Sequence, residues 1–473
     1  MTVGAAAILL TVEPTASASV SASVSASEAY PSTYQAIPGV PTLIRGATLL
    51  TGTGARIDAG DVLLVDGRIQ EVGQHLAAPA GARIIEARGR WVTPGLIDIH
   101  SHLGVVPSPE TTGNSDGNEM TSPVTSNVWV EHSIWPQDPG FQTALEGGVT
   151  TLEILPGSSN LVGGRSVVVK NVAATTYQAM KFPGAPYGLK MACGENPKGT
   201  YGEHGQSPAT RMGNMAGFRQ AFADAQDYRL QLQKYQHELE QYQKKKTPPK
   251  ADSNEGPPTP PRRDLKLETL AGVLDGQIRV QVHCYRADEM ATMLDLADEF
   301  GFKIAAFHHA VEAYKIADRL AGKGVCAALW ADWWGFKMEA FDGIQENLAM
   351  VDYPANSCAV VHSDSAEGIQ RLNQEAAKAI GRGARIGLDI PPERAIRWLT
   401  SNPAKALGLG DRVGSLEPGK MADVVVWNGN PFSVYALAED VFIDGALVFD
   451  REHPAAKPRS DFMLGQAGPE VMP

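Results

Sequence analysis

Eight short, continuous apolar runs recur through the middle of the chain, each bounded by polar or glycine-rich sequence. They lie at 96–102 (LIDIHSH), 148–155 (GVTTLEIL), 166–171 (SVVVKN), 188–195 (GLKMACGE), 279–284 (RVQVHC), 303–309 (KIAAFHH), 325–330 (VCAALW) and 358–364 (CAVVHSD). Plain helical patterns follow several of them, such as ADEMATMLDLADEF, VEAYKIADRLAG and SAEGIQRLNQEAAKAI. A run that is apolar throughout, rather than alternating, reads as a strand buried on both faces, which is the habit of parallel strands covered by helices. The expected fold class is therefore α/β, a (β/α)8 TIM-like barrel rather than an open sheet. A chain of 473 residues can hold a barrel of about 250 residues and a smaller partner.

That partner is expected from the two ends of the chain. Residues 41–90 read as short strands and Asp-Gly turns (GDVLLVDGRIQEVG), and a matching set returns at 412–450 (DVFIDGALVFDRE). Neither piece alone has enough strands to be stable, so the two are expected to join in one small β-sandwich domain. The predicted boundaries are 37–92 and 406–452 for the β domain, 93–405 for the barrel and 453–473 for a tail. Residues 227–246 (DYRLQLQKYQHELEQYQKKK) suggest an exposed polar helix, and the proline-rich stretch after it cannot hold regular structure. Together they read as a surface insertion, 227–263.

Composition excludes some functions. No apolar run reaches the roughly 18 to 20 residues that span a bilayer. With 53 acidic against 41 basic residues the net charge is −12, which argues against nucleic acid as a partner. Cys193, Cys284, Cys326 and Cys358 all sit in apolar runs, a placement that predicts buried free thiols rather than a disulfide framework. Residues 3–12 (VGAAAILLTV), followed by a small-residue stretch with Ala-Ser-Ala at 16–18, resemble a secretory signal region and predict an exported protein, the alternative being cytoplasmic. No Lys or Arg precedes the apolar segment. Residues 1–36 are expected to lie outside the fold.

If the strand assignment holds, the polar residues suited to metal binding fall at strand ends. His100 and His102 end the first strand, Glu195 the fourth, His283 the fifth, His308 and His309 the sixth, and Asp364 the eighth. Strict alternation places Asp98, His100 and His102 on one face and Ile97, Ile99 and Ser101 on the other. The carboxyl end of a barrel is where catalytic groups converge, so residues far apart in sequence can meet there. Imidazole and carboxylate together are the ligand set of zinc and similar divalent ions. His362 reads as a packed neighbour of Asp364, and His75, His132, His237 and His453 as ordinary histidines.

The motifs VTPGLIDIHSH (92–102), GGVTT (147–151), GENPK (194–198), VHC (282–284), HHAVEAYKIADRLA (308–321), HSDS (362–365) and SNPAKALGLGDRVGSLEPGKMADVVVW (401–427) carry a resemblance. The chain resembles the amidohydrolase superfamily of metal-dependent hydrolases, in particular its imidazolonepropionase-like and Xaa-Pro-dipeptidase-like branch. The resemblance covers about residues 41–452 apart from the insertion. It implies one or two divalent ions, zinc first among the candidates. By the resemblance His100 and His102 hold the first ion, His283 and His309 the second, and Asp364 binds metal and shuttles a proton. The fourth strand supplies a bridging ligand in such proteins. Glu195, nearer the strand end, is preferred for it over a carboxylated Lys190.

The implied chemistry is hydrolysis of an amide-type C–N bond. The metal would acidify a coordinated water and polarise the carbonyl, with Asp364 as general acid and base. The same groups could serve a lactone, ester or phosphoester, and a catalytically inactive scaffold is the reading from another class. Lys198, Tyr201 and Arg211 after the fourth strand, with Arg165, are candidates for receiving a substrate carboxylate. DWWGFK (332–337) offers an apolar wall. The expected partner is a small molecule, and the oligomeric state is left open, a homo-oligomer included.

Overall fold

The computed structural model describes residues 29–108, 110–244, 256–333 and 335–453. The signal-like stretch up to residue 28, the 245–255 part of the insertion and nearly all of the expected tail lie outside the described residues. Five strands come first: β1 (Thr42–Leu50), β2 (Arg56–Val65), β3 (Arg68–Gly73), β4 (Arg83–Glu86) and β5 (Trp91–Pro94). The barrel follows as β6 (Leu96–Ser101), β7 (Val149–Ile154), β8 (Val162–Lys170), β9 (Gly188–Ala192), β10 (Arg279–Cys284), β11 (Ile304–His309), β12 (Cys326–Leu329) and β13 (Ala359–Val361). Then β14 (Val424–Trp427), β15 (Ala438–Ile443) and β16 (Ala446–Asp450) return to the first group.

The eight central strands hydrogen-bond in chain order from β6 to β13, a nearly closed barrel sheet. Its two edges meet where the Asp364 N–H donates to the His100 carbonyl at 3.0 Å. One strand departs from the expected all-parallel order: β8 runs antiparallel to both β7 and β9. The connection from Ile154 to Val162 explains this, because it is too short to contain the crossover that a parallel return requires. In consequence the start of β8 reaches the barrel mouth and its last residue, Lys170, reaches the bottom.

The strands from the two chain ends do join, through the antiparallel pair β5 and β14 with Val92 opposite Val426. They form one continuous eight-stranded sheet rather than the two separate sheets of the expected sandwich. The sheet curls back on itself, for Arg68 at the start of β3 bridges to Met421 and the Ile69 N–H donates to Lys420 O at 2.9 Å. Ile44, Leu49, Val62, Ile69, Val424 and Phe442 pack as its own core. Below the barrel, the buried Lys170 Nζ lies 3.2 Å from Asp423 Oδ1 and 2.7 Å from Asp444 Oδ1, joining the two units by an ion triad. Gly95, between β5 and β6, has no room for a side chain, as a Cβ there would stand 2.1 Å from Thr150 Oγ1.

Three further expectations are corrected. The four cysteines are not free thiols: Cys193 bonds Cys284 and Cys326 bonds Cys358, with Cα separations of 5.3 and 4.5 Å. Residues on neighbouring strands are close enough to bridge, which spacing along the sequence does not reveal. Residues 29–36 are not outside the fold, because the Thr33 N–H donates to Gln178 O at 3.0 Å and Tyr34 Oη to Asp444 Oδ2 at 2.5 Å. The polar helix starts well before the expected insertion, as Arg211–Lys244. Its part up to Tyr228 buries Phe218, Phe222 and Tyr228 itself, so only the part beyond them is a surface excursion.

Candidate metal centre

A register shift in the β6–β7 ladder, between Asp98 and Ser101, builds the first part of the site. Ile97 and Ile99 pack in the lower barrel with Val168, Ala306, Ala328 and Val360, as apolar side chains should. Asp98 does not share a face with His100, contrary to strict alternation. It accepts instead from the His100 N–H at 3.0 Å and from the Ser363 backbone and hydroxyl. The shift leaves His100 and His102 together at the mouth, with their Nε2 atoms 3.6 and 3.3 Å from Asp364 Oδ1. His309 Nδ1 lies 3.8 Å from Asp364 Oδ2, and the His283 and His309 rings are 4.6 Å apart.

Two residues of this cluster hold backbone conformations that side chains other than glycine rarely adopt. His309 has φ +68° and Asp364 φ +48°. Such strain costs of order 1–3 kcal/mol per residue and persists where surrounding contacts fix it, most often at functional sites.

Burial pushes the imidazoles of His100, His283, His308 and His309 well below their ordinary pKa, and His362 down to about 3. Lys190 Nζ, 3.3 Å from His100 Nε2, adds repulsion, and burial moves its own pKa down to about 8. Burial would raise Asp364, but its hydrogen bond to His102 and the charges of His102, His362 and Lys190 bring it below its usual value. At neutral pH the imidazoles of His100, His283, His308, His309 and His362 are thus neutral, beside an ionised Asp364 carboxylate.

Both nitrogens of His283, Nδ1 of His309 and Nδ1 of His362 are buried without a hydrogen-bond partner. Leaving buried polar atoms unpaired is costly, so a cluster of them in neutral imidazoles fits lone pairs held ready for a cation. Two sets of side chains bring ligand atoms within 4.8 Å of one another: His100 with His309 and His362, and His100 with His102 and Asp364. His102 Nδ1 is engaged by Leu155 O at 2.8 Å, which orients the ring with Nε2 towards Asp364 and the metal position. The residues present therefore fit a divalent metal.

Other expected site residues are placed differently. Glu195 opens the helix Glu195–Gly202, and its carboxylate lies 3.6 Å from Lys337 Nζ, while Lys190 points into the imidazole cluster. Arg211 is held between Glu289 at 3.0 Å and Glu339 at 2.6 Å. Arg165 is buried, donates to Thr269 Oγ1 at 2.8 Å and stacks on Trp129. Tyr201 Oη bonds Ser122 O at 2.7 Å and Asn160 Nδ2 at 2.9 Å. Lys198 is half-buried on the same helix as Glu195.

His362, read from the sequence as packing, joins the ligand-distance set, and its place two residues before Asp364 was the available signal. The apolar wall expected from DWWGFK forms at Trp333 and extends to residues outside that motif: His309 stacks on Trp330 at 4.5 Å, Trp330 on Trp333 at 5.0 Å, and Tyr285 on His309 at 5.1 Å. Trp333 also lines a cavity of about 460 Å³ that opens beside His102 and Asp364, between Leu103, Val106 and Pro107 and the carboxylates of Glu110 and Glu367.

A model of the amidohydrolase family matches residues 356–451. The crystal structure of an amidohydrolase from Thermotoga maritima MSB8 is 35% identical, with a TM-score of 0.75, and the match covers 87% of this chain and 100% of that one. Amidohydrolase tasK of Hapsidospora irregularis is 33% identical over 452 residues, 89% of this chain and 44% of its own length. A dihydroorotase of Pelotomaculum thermopropionicum is 30% identical over 126 residues, 27% of this chain and 24% of its own length. The chain spans less than half the length of these two curated relatives. Matched over the whole of the Thermotoga maritima amidohydrolase, with imidazoles gathered at the mouth of its barrel, this chain belongs to the amidohydrolase superfamily.

Proposed function

We propose that the protein is a metal-dependent hydrolase of an amide-type C–N bond in a small substrate, a cyclic amide or a dipeptide-like molecule. The observation that carries this reading is the set of neutral, partly orphaned imidazoles around Asp364 at the barrel mouth. His100, His102, His283, His309 and Asp364 would hold one or two divalent ions, zinc being favoured by the imidazole-rich set. His362 is a further candidate. Lys190 is the better candidate for the bridging position than Glu195, because its amine faces His100 and a pKa near 8 keeps a neutral fraction able to take up carbon dioxide.

Bound metal supplies Lewis acidity to the scissile carbonyl and acidity to water. Asp364, ionised at neutral pH, takes the proton of the attacking water on a carboxylate oxygen and returns it to the leaving nitrogen. The aromatic wall and the apolar side of the cavity limit water and hold the apolar part of the substrate. Charged residues at the cavity are acidic, while Arg165 and Arg211 are engaged elsewhere, so recognition of a substrate carboxylate does not rest on them. The two disulfides support export to an oxidising compartment.

The test is metal analysis of the purified protein together with a screen of cyclic amides, dipeptides, lactones and phosphoesters. Bound zinc and amide turnover that His100→Ala abolishes are expected. Absence of tightly bound divalent metal, with no effect of His100→Ala on any activity found, would sink the reading.

A further inference from the structure

Beneath the metal centre a chain of side chains links His100 to the Gln281 amide. His100 Nδ1 lies 2.9 Å from His308 Nδ1, and His308 Nε2 lies 2.9 Å from Gln281 Oε1. All three residues are buried.

We infer that His308 and Gln281 are positioning residues that fix the tautomer of His100, through a one-way hydrogen-bond relay that starts at the Gln281 amide oxygen. An amide oxygen only accepts, and it is the oxygen that Gln281 presents to His308. His308 must then donate from Nε2, which leaves its Nδ1 as a lone pair. Between two imidazoles sharing one proton, that lone pair obliges His100 to donate from Nδ1. The Nε2 of His100, which faces Lys190 and Asp364, is left unprotonated and aimed at the metal position. The opposite polarity would put a proton on that Nε2 and remove a ligand. His308 and His309 thus have different tasks on adjacent positions: His309 meets the metal cluster and His308 orients one of its members.

This inference rests on the proposed metal site, and its test separates the two. Zinc affinity is measured on the full chain by competition with a chromophoric chelator, for wild type, His308→Leu, Gln281→Met and His308→Asn. Removing the orienting partner of a metal-bound imidazole typically weakens metal binding about 10- to 100-fold, which is expected for His308→Leu and Gln281→Met. His308→Asn, whose Oδ1 can stand where Nδ1 accepted, is expected to recover most of the loss.

Independently, nitrogen-15 NMR of histidine-labelled, metal-free wild type should show His100 protonated on Nδ1. This readout holds even if a variant fails to fold. A His100 protonated on Nε2 overturns the inference, as do folded His308→Leu and Gln281→Met proteins that bind zinc like wild type. A wild type that binds no zinc, yet shows the Nδ1 tautomer, removes the metal reading and leaves the relay.

Discussion

Asp364 concentrates the physics of the site in one residue. Its strained φ is held by its own N–H on the His100 carbonyl, and its carboxylate stands between His102 and His309. Asp364→Asn keeps the volume and an oxygen ligand but cannot carry the proton. It is expected to retain metal and lose about 10²- to 10⁴-fold in turnover, read by kinetics beside elemental analysis. The contrast between Lys190 and Glu195 gives a second expectation. Lys190→Ala should lose bound metal, and short carboxylic acids added to the buffer should restore part of it, whereas Glu195→Gln should bind metal like wild type. Loss of metal in Glu195→Gln alone would return the bridging role to Glu195.

At the level of elements, the β15–β16 hairpin carries a conflict that pH can reveal. Asp440 lies opposite Asp450 in the register, and burial, with that neighbouring charge, holds the Asp440 carboxyl up to about 6. A folded-state pKa above the unfolded value of about 3.9 means that folding disfavours the ionised form. The penalty is therefore absent below about pH 4, grows as the pH rises towards 6 and is complete above it. Asp440→Asn should stabilise the protein by about 0.2–1 kcal/mol at pH 7.5 and leave it unchanged at pH 3.5, as measured by chemical denaturation.

The strands themselves were largely legible, because LIDIHS, RVQVHC and IAAFHH are apolar runs of strand length with no competing period. The direction of β8 was not, for apolar content is the same in a parallel and an antiparallel strand. Only the shortness of the link from β7 carried that information. The alternation in β6 misled for a related reason: a register shift is a property of the partner strand, which no single run records.

In the whole molecule, residues from five strands of one barrel and a sheet from both chain ends fold as a connected unit, tied below by Lys170, Asp423 and Asp444. The ligand candidates could be found from strand ends because barrel topology gathers those ends in one place. The substrate side could not be found that way. Arg165 and Arg211 look alike in sequence to any carboxylate-binding arginine, and only packing shows them turned to Thr269 and to Glu289 and Glu339. Because metal would bind the folded chain and not the unfolded one, chelation should lower the melting temperature. The loss corresponds to about 4 kcal/mol where free metal stands near 1,000 times its Kd.

The central claim, a metal held among imidazoles at the barrel mouth, is tested most directly by anomalous diffraction at the zinc edge from crystals grown with zinc. The expected result is a peak at bonding distance from Nε2 of both His100 and His102 and from an oxygen of Asp364. Diffraction of equal quality with no peak among these side chains would contradict it.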